Sequence, residues 1–180
     1  MAKRPKPDTR KVKIGRHTVV TYSYGDSDEI LFLLNGGPGI PCDYLRDPLL
    51  PLVDAGYRVV TYDQRGTGAS DKPKDKSLWT IGRYAEEVET VRKALDLGKI
   101  HLLGHSWGGW LSIEYALKYP KALKSLILSN TCGDMPHLIT ELNRLRDALG
   151  PETVAMMQRH EARGTLEHPE YKAAITILNY

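Results

Sequence analysis

The amino-acid sequence predicts an α/β fold with a mostly parallel sheet, followed by an all-helical segment. Two observations lead to this prediction. Unbroken apolar runs, which are typical of strands buried on both faces, alternate along the chain with segments of helical periodicity. After Asn130 this alternation stops, and only helical patterns continue to Tyr180.

The first predicted strand is "HTVVTYSYG" (17–25), which alternates and is rich in β-branched and aromatic residues. The preceding "KVKIG" is a candidate hairpin partner for it. Four buried strands then follow, separated by helices: the strands cover 30–34, 57–63, 99–104 and 123–130, and the helices about 43–55, 80–96 and 107–119.

Three more helices are predicted in the last part of the chain, at about 136–148, at 152–163 and from about 168 onward. Gly150-Pro151 and Gly164 mark the turns between them. We therefore divide the chain into a basic arm (1–16), an α/β core (17–133) and a helical segment (134–180).

The charge distribution argues against a nucleic-acid-binding surface. The formal net charge of the chain is +3. Residues 1–16 alone carry +6, so the rest of the chain carries −3. We interpret this arm as solvated, and a polyanion-binding arm is the weaker alternative.

Several other classes of protein and site are not indicated. No apolar run approaches the ~18 residues of a membrane span, and no apolar segment follows the basic N-terminus as in a secretory signal. Cys42 and Cys132 lie far apart, so we expect reduced thiols in a cytoplasmic protein. No His/Cys/Asp cluster has metal-ligand spacing, so no metal and no organic cofactor is expected.

The segment "HLLGHSWGGW" (101–110) carries the main functional signal. It places Ser106 between Gly104 and Gly108, where a predicted strand turns into a helix. Flanking glycines remove Cβ atoms that would collide in so tight a turn, and the serine hydroxyl projects from the sheet edge. Such a serine suits attack on an acyl carbon. The alternative is a glycine-rich turn with a structural serine.

A second glycine-rich loop, "LLNGGPG" (33–39), follows the first buried strand. Gly36 and Gly37 allow backbone N–H groups to approach a substrate oxygen closely, and Pro38 stiffens the loop. The alternative is an ordinary turn at a strand end. In "YDQRGTGASDKP" (62–73), Asp63 precedes the serine, whereas the acid and histidine of this architecture follow it. We therefore interpret Asp63 and Arg65 as structural.

These three motifs together resemble the α/β-hydrolase fold, and more narrowly the proline iminopeptidase family of serine peptidases and amino-acid amidases, over about residues 18–180. The resemblance implies that Ser106 is the nucleophile and that the N–H groups of Gly37 and Trp107 form the oxyanion hole. Gly36 and Pro38 then belong to the substrate-binding loop, and 134–180 to the start of a helical lid. The implied reaction releases an N-terminal residue, often proline, from a peptide, amide or arylamide.

Two features depart from that family. Asn35 stands where the family usually has histidine, which changes loop hydrogen bonding or substrate choice. A complete hydrolase with a lid needs about 250 residues or more, so we expect the 180 residues to be an N-terminal portion. The catalytic acid and base, and the acids that hold the substrate amine, are then expected beyond Tyr180, with a second chain as one source.

The histidines and acids within the chain do not fit the missing roles. His137, His160 and His168 lie in the helical segment, and His105 should point away from its neighbour Ser106. Asp134 follows the last strand, where a helix N-cap role is favoured over that of a catalytic acid. Two other functions stay open: an esterase, lactonase or epoxide hydrolase on the same fold, or a binding module without a base.

Overall fold

The computed structural model of the chain describes residues 6–179. The chain forms two compact units, Met1–Gly133 and Asp134–Tyr180. The boundary between them lies where the sequence changes from alternating strands and helices to helices alone.

The first unit contains a six-stranded sheet within its described residues. The strands are β1 (Asp8–Ile14), β2 (His17–Tyr24), β3 (Ile30–Leu34), β4 (Arg58–Asp63), β5 (Ile100–His105) and β6 (Leu123–Ser129). Their order in the sheet is β1-β2-β4-β3-β5-β6. The β1–β2 and β2–β4 pairs are antiparallel, and the strands from β4 to β6 are parallel. The predicted, mostly parallel α/β sheet is confirmed.

The first strand corrects the prediction of a solvated basic arm over residues 1–16. Asp8–Ile14 pairs with β2 from Asp8↔Ser23 to Ile14↔His17, as the hairpin alternative expected. Val12 is buried in the core, whereas the lysines on either side of it are exposed. Charged side chains are typical of an edge strand, because they discourage pairing with other chains. Residues 1–5 of the expected arm lie outside the described residues.

Helices flank both faces of this sheet. They are α1 (Asp43–Leu49), continued by a 3₁₀ turn at Leu50–Val53, then α2 (Ile81–Ala94) and α3 (Trp107–Lys118). Alternate residues of β3 face opposite layers. Phe32 packs in the cluster that includes α2 and α3, and Leu33 packs in the cluster that includes Leu50. The parallel strands are therefore covered on both sides, as their apolar runs predict.

The β6 strand is the exception to this coverage. Within the described residues it pairs only with β5, so it forms an edge of the sheet. Leu126, Ile127 and Leu128 are 37%, 42% and 45% exposed. Three consecutive exposed apolar residues on a strand are unusual in a soluble fold, and they mark a side of the sheet that is open in this unit.

The second unit consists of three helices, α4 (Met135–Asp147), α5 (Pro151–Arg163) and α6 (Pro169–Asn179). Asp134 caps α4 by accepting a hydrogen bond from His137 N at 3.0 Å, as expected for that residue. Glu161 joins the helices, because it pairs with Arg146 of α4 at 2.8 Å and accepts from Tyr171 Oη of α6 at 3.1 Å. No helix of the described residues is long and apolar enough to cross a membrane.

Candidate active site

Ser106 occupies a strained backbone conformation between β5 and α3. Its φ is 54° and its ψ is −120°, a combination that L-residues rarely adopt. Two contacts hold it there: Ser106 N donates to Ser129 O at 3.0 Å, and Thr131 Oγ1 donates to Ser106 O at 2.9 Å. The predicted tight turn between strand and helix is therefore present, and it is fixed by the last residue of β6 and by Thr131, which follows that strand.

The glycines around Ser106 are required by close packing of backbone on backbone. A Cβ atom at Gly108 would lie 2.5 Å from Leu34 C and 2.7 Å from Asn35 O, and one at Gly104 would lie 2.7 Å from Gly108 C. Real Cβ atoms are not found at such distances, so only glycine lets α3 begin directly against the end of β3. This packing brings Ser106 to the loop that follows β3.

In the loop after β3, Gly36 is the residue that contacts the turn around Ser106. A Cβ atom there would lie 3.1 Å from Ser106 Cβ and 2.8 Å from Tyr44 Oη. Gly36 N already donates to Tyr44 Oη at 2.6 Å. Gly37 has a φ of 132°, its peptide bond to Pro38 is cis, and no described residue accepts a hydrogen bond from its N–H. Of these two glycines, Gly37 is therefore the one whose N–H remains available to a ligand.

Trp107 offers a second available N–H group. It is the first residue of α3, and the first N–H groups of a helix have no intrahelical acceptor. Gly109 and Trp110 both donate to Ser106 O, and no described residue accepts from Trp107 N. The positive end of the helix dipole thus lies beside Ser106 and favours negative charge there.

His105 is held by Tyr44, as its expected structural role requires. Tyr44 Oη lies 2.8 Å from His105 Nδ1, and the two rings meet edge to face at 5.6 Å. Because Tyr44 Oη also accepts from Gly36 N, this hydroxyl connects His105 to the loop after β3. Sequence analysis did not identify Tyr44, since its partners Gly36 and His105 lie 8 and 61 residues away.

Asn35 organises an amide network behind the loop. Its Nδ2 donates to Ile40 O at 2.6 Å and to Gly36 O at 3.1 Å. Gln64 Nε2 donates to Asn35 Oδ1 at 3.2 Å, and Gln64 Oε1 accepts from Trp107 Nε1 at 3.1 Å. These hydrogen bonds connect the loop, the end of β4 and the start of α3. Nothing in the sequence around Gln64 predicted this role.

Asp63 and Arg65 are structural, as predicted. Asp63 accepts hydrogen bonds from Tyr22 Oη at 2.9 Å, Cys42 N at 3.3 Å and Ala69 N at 2.9 Å. Burial, together with the Asp63 carboxylate, raises the pKa of the Tyr22 hydroxyl, and it raises that of the Cys42 thiol to about 12. Both groups therefore stay protonated at neutral pH.

Arg65 forms a buried ion pair with Glu87 at 2.8 Å, with side chains 4% and 0% exposed. Its backbone N also donates to Glu87 Oε1 at 3.0 Å. This pair attaches the loop after β4 to α2. Asp63 and Arg65 are therefore both engaged in positioning this loop.

An aromatic cavity of about 440 Å³ lies beside the loop and the nucleophile turn, within the first unit. Its lining consists of Pro38, Gly39, Arg65, Gly66, Trp79, Tyr84 and Trp107. Tyr84 and Trp107 meet edge to face at 5.6 Å. The Arg65 charge is neutralised by its ion pair with Glu87, so the cavity is mainly aromatic and apolar. Such a cavity suits a small apolar group.

Residues 6–133 do not assemble a general base for Ser106. No residue in that range hydrogen-bonds to Ser106 Oγ. The ring nitrogens of His101 face Ser125 Oγ and Glu29, and His105 faces Tyr44. His137, His160 and His168 belong to the second unit. Among residues 6–133, His101 and His105 thus have other hydrogen-bond partners than Ser106.

The fold and the family match together define the class of this protein. Residues 29–162 match the family described as alpha/beta hydrolase fold. The chain therefore belongs to the α/β-hydrolase family, as the sequence motifs predict.

Within that class, the chain is similar to proline iminopeptidases. It is 43% identical to the proline iminopeptidase of Saccharolobus solfataricus over 157 residues, which cover 87% of this chain and 50% of that protein. The crystal structure of the Mycobacterium smegmatis proline iminopeptidase aligns with a TM-score of 0.81 and 33% identity, covering 93% of this chain and 58% of that one. The structure of VinJ aligns with a TM-score of 0.85 and 32% identity, covering 95% and 60%.

The chain spans about half the length of the curated relatives it matches. The matched half contains the nucleophile turn and the glycine-rich loop. The resemblance to the proline iminopeptidase family is thus confirmed for this portion of the molecule.

Proposed function

We propose that this chain is the nucleophile-bearing part of a serine hydrolase that releases an N-terminal amino acid, proline or another small residue, from a peptide or amide. The observation that carries the proposal is the strained backbone of Ser106, with φ 54°, at the turn from β5 to α3. Strain of this kind persists only where the surrounding structure requires it, and it is concentrated at functional sites.

The proposed reaction proceeds through an acyl-enzyme. Ser106 Oγ attacks the acyl carbon and loses its proton to a base, and the oxyanion is stabilised by the N–H groups of Gly37 and Trp107. The C–N bond then breaks, and the leaving amine takes up the proton. Water attacks the ester on Ser106 and releases the free amino acid. Neither step requires a metal or an organic cofactor.

The aromatic cavity supports the choice of substrate. It adjoins Pro38 and Trp107, and its size and neutral aromatic walls suit a pyrrolidine ring or a small side chain. Gly36 and Pro38 are proposed to contact the substrate through the loop. The proline iminopeptidase relatives point to the same class of substrate.

We propose that the catalytic acid, the base and the amine-binding acids are supplied by further polypeptide, either continuous with this chain or a second chain. The exposed edge of β6, with Leu126 to Leu128, is where such polypeptide would pair. Residues 134–180 are proposed to belong to the lid. Cys42 and Cys132 are both thiols, which fits a reducing, cytoplasmic location.

Hydrolysis of prolyl and alanyl arylamides, with an aryl ester for comparison, tests this function in the longer polypeptide. Ser106→Ala should reduce turnover of arylamides by about 10⁴-fold or more. Ser27→Ala, at a serine that precedes the amino end of β3 and so lies at the opposite end of that strand from the glycine-rich loop, should leave turnover unchanged. An ester cleaved much faster than either arylamide would favour the esterase alternative. Absence of turnover, with an unreactive Ser106 and a specific bound partner, would favour the binding module.

A further inference from the structure

Three side chains able to ligate a metal converge where α5 ends and α6 begins. His160 lies in the last turn of α5, and His168 and Glu170 lie at the start of α6. One ligand atom from each lies within 4.8 Å of the others. The imidazole rings stack with centroids 4.4 Å apart, and His160 Nε2 is 3.8 Å from Glu170 Oε2. Sequence analysis expected no metal cluster, because Gly164 and its turn separate these residues.

Hydrogen bonding at Thr165 determines which nitrogen of His160 is available. Thr165 Oγ1 donates to His160 O at 3.4 Å and lies 2.8 Å from His160 Nδ1. Thr165 Oγ1 therefore engages Nδ1, and Nε2 is the ring nitrogen that faces the Glu170 carboxylate, 3.8 Å away. In the neutral tautomer that carries its proton on Nδ1, Nε2 has the lone pair that a metal ion requires.

The surroundings leave these groups free to bind a metal. The His160 side chain is 14% exposed and is held by Thr165, so it can serve as a fixed ligand. His168 accepts only a long hydrogen bond, 3.4 Å from Glu170 N, and the Glu170 side chain is 66% exposed. Both can therefore rotate at little cost.

Two of the cations in this unit are paired with other acids. Arg146 is paired with Glu161, and Lys172 with Glu167. Among the described residues, the partner of Glu170 in an ion pair is His160. Its negative charge is therefore not neutralised by a lysine or arginine.

Two imidazoles and one carboxylate are a ligand set that Zn²⁺ accepts, with ligand distances of about 2.0–2.2 Å. Ligand atoms of a tetrahedral site lie roughly 3.3 Å apart, so a contraction of up to about 1.5 Å from the observed arrangement is required. Rotation of the two exposed side chains supplies it. Thr165 has the position typical of an outer group that orients a ligating histidine.

We propose that His160, His168 and Glu170 form a Zn²⁺ site that fixes the turn between α5 and α6. Three protein ligands leave the fourth position to water. The site lies entirely in the second unit and is independent of the proposed hydrolase function.

The experiment is a calorimetric titration of the 180-residue chain with Zn²⁺ alone. In a parallel titration, Co²⁺ serves as a spectroscopic probe of tetrahedral coordination. One equivalent should bind and raise the melting temperature. H160Q, H168Q and E170Q should each weaken binding by at least about 10-fold, and T165V should weaken it by about 10-fold. The matched control is H137Q, since His137 is the remaining histidine of the second unit.

Equal weakening by H137Q, or the absence of saturable binding, would overturn the proposal. So would binding that H160Q, H168Q and E170Q leave unchanged. Circular dichroism of each variant checks that helix content is retained. H168Q changes an exposed side chain, so its loss of binding would not reflect unfolding.

Discussion

A single methyl group at Gly36 should disturb the approach of the loop to Ser106. Its Cβ would lie 2.8 Å from Tyr44 Oη and 3.1 Å from Ser106 Cβ, so either the tyrosine or the loop must move. We expect Gly36→Ala to lower the free energy of unfolding by about 1–3 kcal/mol, as other overpacked sites do, and to slow acylation of Ser106. Urea denaturation and the rate of fluorophosphonate labelling measure the two effects.

Gly82→Ala is the matched control for this change. Gly82 lies in α2, and nothing lies within 4 Å of an added Cβ. The substitution should be neutral or stabilise the protein by up to about 1 kcal/mol. Equal behaviour of the two variants would show that Gly36 is not in close contact with the nucleophile turn.

Single residues were predictable where a local motif demands a backbone conformation. Ser106 was singled out because the glycines around it indicate a tight turn. Asp63 was interpreted as structural because it precedes the serine in the chain. Tyr44 and Gln64 could not be found in this way. Their roles depend on contacts with residues that are distant in sequence, and neither residue type is specific to such a role.

At the level of elements, the Arg65–Glu87 pair attaches the loop after β4 to α2. Burial raises the pKa of Glu87, and removal of the Arg65 side chain would leave its buried carboxylate without a neutralising cation. Arg65→Met should therefore cost about 3–5 kcal/mol of stability. The exposed pair Arg83–Glu86 gives the control, since Arg83→Met should cost about 0–1 kcal/mol. Similar losses in both variants, measured by urea denaturation, would contradict the importance assigned to burial.

Glu89 joins α2 to α3 and makes stability depend on pH. Arg92 binds both of its carboxylate oxygens, at 2.8 and 2.9 Å, and Tyr115 Oη donates to it at 2.6 Å. Hydrogen bonds from Arg92 lower the pKa of Glu89 from 4.5 to about 2. Because the folded pKa is the lower one, this contribution is complete above pH 4.5 and is lost as the pH falls toward 2.

Urea denaturation between pH 6 and pH 2.5 tests this linkage. Glu89→Gln should reduce stability at pH 6 and flatten the part of the profile between roughly pH 4.5 and 2.5. Glu86→Gln, at a carboxylate whose side chain is 44% exposed, should change the profile much less. A profile unchanged by Glu89→Gln would show that this ion pair contributes nothing to folding.

The elements themselves were largely predictable, because buried parallel strands are continuous apolar runs and amphipathic helices have their own period. The first strand predicted from the sequence began at residue 17, whereas the first strand of the structure is Asp8–Ile14. Its lysines and arginines suggested a solvated arm, but in Asp8–Ile14 they are the exposed side chains of an edge strand. Charge alone did not distinguish a solvated arm from a protected sheet edge.

For the whole molecule, the α/β-hydrolase family and the resemblance to proline iminopeptidases were predictable from three motifs and their order. The cluster of His160, His168 and Glu170 was not, since a turn brings these residues together and no short spacing announces it. The open edge of β6 was also not visible in the sequence, because its apolar run is the same as that of a covered strand.

The most direct test of the account is the intact mass of the longer polypeptide after treatment with a serine-directed fluorophosphonate, with the 180-residue chain treated in parallel. The account predicts one adduct on Ser106 in the longer polypeptide, none in its Ser106→Ala variant, and slow or no labelling of the 180-residue chain alone. No adduct in the longer polypeptide, or an adduct on another residue, would contradict the assignment of Ser106 as the nucleophile. Rapid labelling of the 180-residue chain alone would contradict the proposal that further polypeptide supplies the base.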